Sequence, residues 1–137
     1  AALAAEMCAV SMAGVHAALA GAGTLSQRLA GALDAKIGRF HRLIANSPFS
    51  AELMESKALA ARAFEDLDAQ FRKALGDAIG EARIGKAADR AELVDTVLAA
   101  GYGVWQLGSF RGETEPAQTR KRLERHLGLL LKGLATK

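Results

Sequence analysis

The fold is decided by DRAELVDTVLAAGYGVWQLG, residues 89–108, together with PAQTRKRLERHLGLLLKGL, residues 116–134. Apolar residues recur in both at helical spacing. The second stretch carries one stripe, formed by Leu123, Leu127, Leu130 and Leu134. The first carries two adjacent stripes, formed by Leu93, Val97, Ala100 and Val104 and by Val94, Leu98, Gly101 and Trp105. A helix that is apolar on two sides needs two neighbours. We expect one neighbour within the chain and the other in a second copy.

The whole sequence predicts a single all-α domain over residues 1–137. Half of the residues are hydrophobic, only 5% are aromatic, and the chain has two prolines. Alanine and leucine supply most of the apolar bulk, and both favour helices. No segment shows the alternation of a half-buried strand. A chain of this length can build one core without a disulfide or a metal ion.

The sequence predicts six helices. They cover residues 2–20, 24–44, 50–56, 57–82, 89–108 and 116–134. Thr24 with Gln27, and Asp89 with Glu92, form two candidate capping boxes at helix starts. Pro116 suits the first turn of the last helix.

The first helix is unusually apolar, because Glu6 is the only charged residue before Thr24. A signal peptide needs a positive leading region, and a membrane span needs Leu, Ile or Phe at higher density. We therefore expect a buried helix and no membrane partner. The lone Cys8 cannot form an internal disulfide, which favours a reducing, cytoplasmic location.

Residues that could carry catalysis or bind a metal are scattered. His16, His41 and His126 lie on different predicted helices without a second ligand at helical spacing, so we expect no metal ion and no cofactor. The glycines at 101 and 103 lack the third glycine of a dinucleotide loop. No serine stands in the context of a nucleophile. An enzyme is therefore the least favoured class.

The net charge of +3 is spread along the chain, with one local basic excess and one acidic run. The basic residues are Arg120, Lys121, Arg122, Arg125 and Lys132; the acidic ones are Glu65, Asp66 and Asp68. We interpret both groups as solvated faces, since no helix-turn-helix or aromatic RNA-binding pattern accompanies them. A nucleic-acid patch on the last helix is the alternative.

The glycines at 101 and 103 need a reason, because each costs about 1 kcal/mol relative to alanine inside a helix. They allow either close packing or room for a bound molecule. Small-molecule sites combine apolar and aromatic walls with few polar groups. The candidate wall residues are Met12, His16, Phe40, Phe64, Phe71, Tyr102 and Trp105.

The order of these parts resembles the C-terminal ligand-binding and dimerisation region of tetracycline-repressor (TetR) family transcriptional regulators. The resemblance is carried by FHRLIANSPFSAEL, by the long helix ALAARAFEDLDAQFRKALGDAIGEA, and by the two stretches quoted first. It implies a six-helix domain whose last two helices pair with those of a second subunit in a four-helix bundle. The family's N-terminal helix-turn-helix domain is absent from these residues.

The resemblance implies an effector-sensing homodimer of a bacterial repressor. A small apolar or aromatic ligand would select one arrangement of the first helix, and operator DNA would bind only through the missing N-terminal domain. The expected dimer interface consists of Val97, Val104, Leu123, Leu127, Leu130 and Leu134. The two stripes of residues 89–108 could exchange roles. The alternative is a structural helical interaction module without a small-molecule ligand.

Overall fold

A computed structural model of the chain describes residues 2–40, 42, 61–113 and 115–135. Over these ranges every regular element is helical, as predicted. The α-helices are α1 (Ala2–Ala20), α2 (Leu25–Leu33), α3 (Ala61–Glu81), α4 (Arg90–Phe110) and α5 (Pro116–Ala135). The predicted helix over 50–56 and the junctions on either side of it lie outside the described residues.

Two short helical turns interrupt this pattern. The π-helical turn Asp34–Gly38 continues α2 directly, and the 3-10 turn Ala87–Asp89 leads into α4. Neither turn is predicted by the apolar spacing, which treats residues 24–44 and 89–108 as regular helices.

One predicted capping box is confirmed and the other is wrong. At the start of α2, the Gln27 amide donates to Thr24 Oγ1 (3.2 Å), and the Thr24 amide donates to Gln27 Oε1 (2.9 Å). Asp89 precedes α4, but its side chain makes no capping hydrogen bond within the described part of the chain. Its φ of −96° and ψ of 4° depart from the extended geometry that aims a capping side chain at the helix.

The core forms where α2 meets its neighbours. α1 packs against α2 and α3, α5 packs against α2 and α4, and α3 packs against α4. Residues 29–33 of α2 are all buried. The largest fully buried side chains are Val15, Leu29, Leu33, Phe71, Leu75, Ile79, Val97, Val104, Leu123 and Leu127. No helix in the described ranges is long and apolar enough to cross a membrane.

Arg90 joins the end of α3 to the start of α4. Its guanidinium lies where a Cβ at Gly80 would stand, so glycine at this position makes room for it. Arg90 Nη1 donates to the carbonyl oxygen of Gly76 (3.3 Å). A cation near the C-terminal end of a helix also interacts favourably with the helix dipole.

Candidate functional site

The candidate site is organised by the π-helical turn. In this turn the Arg39 amide donates to the carbonyl oxygen of Asp34, five residues earlier. Such turns are rare and often lie at functional sites, because the extra residue re-aims the side chains that follow. A Cβ at Gly38 would stand 2.8 Å from Trp105 Cζ2, so the turn's backbone approaches the indole closely. Arg42 Nη1 donates to Asp34 Oδ1 (2.7 Å) across the same turn.

Five of the predicted wall residues are buried or half-buried. Phe71 is fully buried, and Met12 and Trp105 belong to the same buried cluster. The rings of Phe40 and Phe64 meet edge to face, with their centroids 6.1 Å apart. Edge-to-face pairing is a preferred geometry for aromatic rings. We call Phe40, Phe64, Phe71 and Trp105 the aromatic cluster: Phe71 and Trp105 belong to the common buried core, Phe64 packs against that core, and Phe40 pairs with Phe64.

The other two predicted wall residues lie at the surface. His16 is exposed on α1, whose inward row contains Met12 and Val15 instead. Tyr102 is 52% exposed. Burial raises the pKa of the Tyr102 phenol above its ordinary value, and the nearby Asp68 carboxylate raises this pKa further. Tyr102 is thus a surface residue near the Asp68 carboxylate, and the structure does not bring His16 to the aromatic cluster.

Beside the aromatic cluster lies a charged network that the sequence did not predict. Lys36 Nζ lies 3.6 Å from Asp68 Oδ1 and 4.9 Å from the centroid of the Phe71 ring. Asp68 also pairs with Arg72 (3.0 Å), and Arg72 pairs with Asp95 on α4. The network therefore alternates in sign and links the π-helical turn, α3 and α4.

This network corrects the interpretation of the acidic run as wholly solvated. Asp68 is half-exposed, and it contacts two cations. The spacing of Asp68 and Arg72, four residues apart on one helix, is the signal that predicts their pairing. Nothing in the sequence pattern points to Lys36 as the third partner, because that contact depends on how the π-helical turn lies against α3.

The expected dimer interface is largely internal. Val97, Val104, Leu123 and Leu127 are each no more than 2% exposed within a single copy. The reason is that α4 packs against both α3 and α5, which covers both of its stripes, while α5 packs against α2 and α4. Leu130 and Leu134 are half-buried at the edge of this core.

A different row of α4 faces solvent. It consists of Thr96, Ala99, Gly103, Leu107 and Phe110, and we call it the outer row. Leu107 is 47% exposed and Phe110 is 80% exposed. A Cβ at Gly103 would meet no described atom within 4 Å, whereas one at Gly101 would meet Leu33 Cδ1 at 3.2 Å. Packing among the described residues therefore explains Gly101, whereas none of these residues explains Gly103.

The neighbouring helix α5 has a similar exposed pair. Leu129 is 65% exposed, and a Cβ at Gly133 would likewise meet none of the described atoms within 4 Å. Exposed large apolar side chains beside helical glycines are typical of surfaces that another backbone approaches.

No family model, curated protein or solved structure matches this chain.

Proposed function

We propose that this chain is the effector-sensing and homodimerising domain of a cytoplasmic TetR-family transcriptional regulator. The observation that carries the proposal is the aromatic cluster at the π-helical turn, with the backbone at Gly38 against Trp105 and the Lys36–Asp68 pair at its edge. Mostly aromatic walls with a few polar groups are typical of sites for small organic molecules. The family assignment itself rests on the resemblance in helix order and sequence character.

The site lies where a ligand could influence α1. The π-helical turn packs against α1, and α1 also packs against α3, which supplies Phe64 and Phe71. A ligand that fits one arrangement of these elements better than another shifts the population toward that arrangement. In an intact regulator, α1 would transmit this shift to a DNA-binding domain that reads the operator.

The outer row supports a revised dimer interface. Residues 96 and 110 lie seven positions on either side of Gly103, so an antiparallel crossing of two α4 helices at Gly103 places Phe110 of each copy against Thr96 of the other. In the same crossing, Leu107 lies near Ala99. Large side chains thus face small ones, as a two-fold symmetric interface requires. Gly103 would let the two backbones approach closely.

Ligand sensing is tested by thermal unfolding with benzyl alcohol, benzylammonium and benzoate, which are nearly isosteric aromatic probes. A ligand that binds only the folded state raises the unfolding temperature. We expect at least one probe to do so, and Phe64→Ala to abolish the effect. Phe110→Ala is the matched control, because Phe110 is 80% exposed and lies outside the aromatic cluster. An unchanged response in Phe64→Ala, or no response to any probe, would refute the sensing function.

The dimer is tested by light scattering at micromolar concentration. We expect the wild-type chain to be a dimer and Leu107→Glu to be a folded monomer, since the substitution buries an unpaired charge in the interface. Val10→Glu is the matched control, because Val10 on α1 is also 47% exposed. A monomeric wild type, or equal dissociation by both variants, would overturn this interface.

The second candidate function is a structural dimerisation module without a ligand, and the outer row alone is enough to favour it. The two candidates separate in the experiments above. If the wild type is a dimer, Leu107→Glu is a monomer, and no aromatic probe raises the unfolding temperature, the protein would be a structural module.

A further inference from the structure

We propose that the ion pair of Asp34 and Arg42, which we call the latch, holds residues 34–38 in the π-helical turn. Opening the latch lets these residues adopt ordinary α-helical geometry. The inference concerns the conformation of the candidate site, so it does not depend on what the site binds. Three observations carry it: the spacing of the paired residues, the position of Gly38 beside the pair, and the elements that contact the turn.

The spacing of the pair fits a helix that contains a π turn. Asp34 and Arg42 are eight residues apart, with Arg42 Nη1 2.7 Å from Asp34 Oδ1 and Arg42 Nη2 3.3 Å from Asp34 Oδ2. In an uninterrupted α-helix, residues at this spacing lie about 80° apart around the axis. One additional residue in the turn removes about 100° of rotation, which leaves the two side chains about 20° apart on one face. The two-point contact therefore depends on the π geometry.

The pair in turn favours the π geometry. Both side chains are half-buried, with 38% of Arg42 and 26% of Asp34 exposed. A two-point contact between a guanidinium and a carboxylate is stronger and more directional than a single hydrogen bond. Because π turns are rare, a helix keeps one only where an interaction that needs this geometry stabilises it. The latch is such an interaction.

Gly38 makes room for the latch. A Cβ at this position would stand 3.1 Å from Arg42 Nη1, and closer still to the Asp34 carboxylate. The same Cβ would stand 2.8 Å from Trp105 Cζ2 on α4. A larger residue at position 38 would therefore push against the ion pair and the indole at once. Glycine allows the latch and the indole to meet over the backbone of the turn.

The turn contacts three other helices, so opening the latch changes contacts with each of them. Ala35 packs against α1, where a Cβ at Gly14 would stand 3.1 Å from the Ala35 Cβ. The backbone of the turn contacts Trp105 of α4, and Phe40 pairs with Phe64 of α3. In α-helical geometry Phe40 would turn by about 100° relative to α2, the rotation of one residue, and would leave Phe64. The latch therefore couples the positions of α1, α3 and α4.

The test uses the fluorescence of Trp105, the only tryptophan in the chain. Asp34→Asn and Arg42→Met each remove one charge of the latch at nearly constant size. The indole is 9% exposed when the latch is closed, and we expect both variants to expose it further. Its emission should then shift to the red, and acrylamide should quench it more strongly. Far-UV circular dichroism should stay unchanged, because the turn becomes α-helical and does not unfold.

The double variant Asp34→Asn/Arg42→Met tests whether the two residues act together. Either single variant already opens the latch, so the double variant should change the emission and the quenching of Trp105 no more than either single one does. Residues that act separately would give additive effects instead.

The control variants are Asp77→Asn and Lys73→Met. Asp77 and Lys73 form an ion pair on α3 (2.9 Å), and both side chains are exposed. The two controls make the same changes in charge as the latch variants without touching the turn. We expect them to leave the fluorescence of Trp105 unchanged.

Four outcomes would overturn the latch. They are unchanged fluorescence in either latch variant, additive effects in the double variant, an equal change in the controls, and a loss of helical content that accompanies the fluorescence change. The last would mean that residues 34–38 unfold when the pair is broken. None of these measurements uses an aromatic probe, so the latch and the sensing function can each fail without the other.

Discussion

At the scale of single residues, Tyr102 reports on the charged network. It is the only tyrosine in the chain, and Asp68 and Arg72 of that network lie close enough to affect its pKa. Burial is the largest cause of its raised pKa, the Asp68 carboxylate adds to it, and Arg72 opposes both. Because the folded-state pKa is raised, the neutral phenol favours the folded state below its ordinary pKa of about 10. That contribution is lost as the pH rises through the folded-state pKa.

We predict that Asp68→Asn lowers the pKa of Tyr102 toward its ordinary value without fully reaching it, because the phenol stays partly buried. The absorbance of the tyrosinate ion in an alkaline titration measures this pKa directly. Asp77→Asn is the control, since Asp77 pairs with Lys73 on the exposed side of the same helix. A Tyr102 pKa that is unchanged by Asp68→Asn would show that burial alone causes the shift.

At the scale of secondary-structure elements, the connection between α4 and α5 is fixed by one ion pair. Arg122 contacts both carboxylate oxygens of Glu113, with Nη1 to Oε2 at 3.0 Å and Nη2 to Oε1 at 2.7 Å. The Glu113 side chain is only 10% exposed. Its amide also donates to the carbonyl oxygen of Gly108 (2.9 Å), which closes the end of α4. Paired contacts of this kind define the angle between two helices as well as their distance.

Glu113→Ala is expected to lower the free energy of unfolding by about 1–3 kcal/mol, because it leaves the half-buried Arg122 guanidinium without its carboxylate partner. Urea unfolding followed by circular dichroism measures the change. Asp77→Ala removes the exposed partner of Lys73 and should cost about 0–1 kcal/mol. Equal losses in the two variants would contradict a special role for the Glu113–Arg122 pair.

The sequence predicts the regular parts of these elements and misses their irregular joints. The bounds of α1 and the capping box at Thr24 follow from local chemistry, so they could be predicted. The π-helical turn could not, because Leu33, Ile37 and Phe40 continue an ordinary helical spacing. The π-helical turn changes the angular spacing of the side chains that follow it. Leu33 and Ile37 are buried, whereas Phe40 is half-buried. The predicted capping box at Asp89 is wrong for a related reason. A capping side chain reaches the helix only from suitable backbone angles, and the residue type does not set those angles.

At the scale of the whole molecule, apolar spacing identifies buried residues but not the chain that buries them. The spacing of Leu123 and Leu127 fits an internal core and a dimer interface equally well. The structure places both residues in the core. The outer row gives a weak apolar signal, because Thr96, Ala99 and Gly103 are small. For the candidate site, Phe40, Phe64, Phe71 and Trp105 could be predicted from their apolar helix faces, whereas Tyr102 is exposed and the contact of Lys36 depends on how the π-helical turn lies against α3.

We predict that Leu127→Ala lowers the free energy of unfolding by about 2–5 kcal/mol, because it opens a cavity at a fully buried position. Thermal or urea unfolding measures the loss. Leu129→Ala, two residues along the same helix and 65% exposed, is the control and should change the stability of the monomer by no more than about 0.5 kcal/mol. A small effect of Leu127→Ala would mean that this residue does not belong to the core.

The burial of five consecutive residues in α2, from Leu29 to Leu33, has a consequence for how the protein opens. This stretch has no solvated side and cannot fray by itself, whereas the first turn of α2, where Gln27 is exposed, can. The amide hydrogens of the buried stretch should therefore exchange with solvent only when the domain unfolds as a unit. Motions that occur in the native state must then originate in the neighbours of α2, with α2 acting as the fixed frame against which they move.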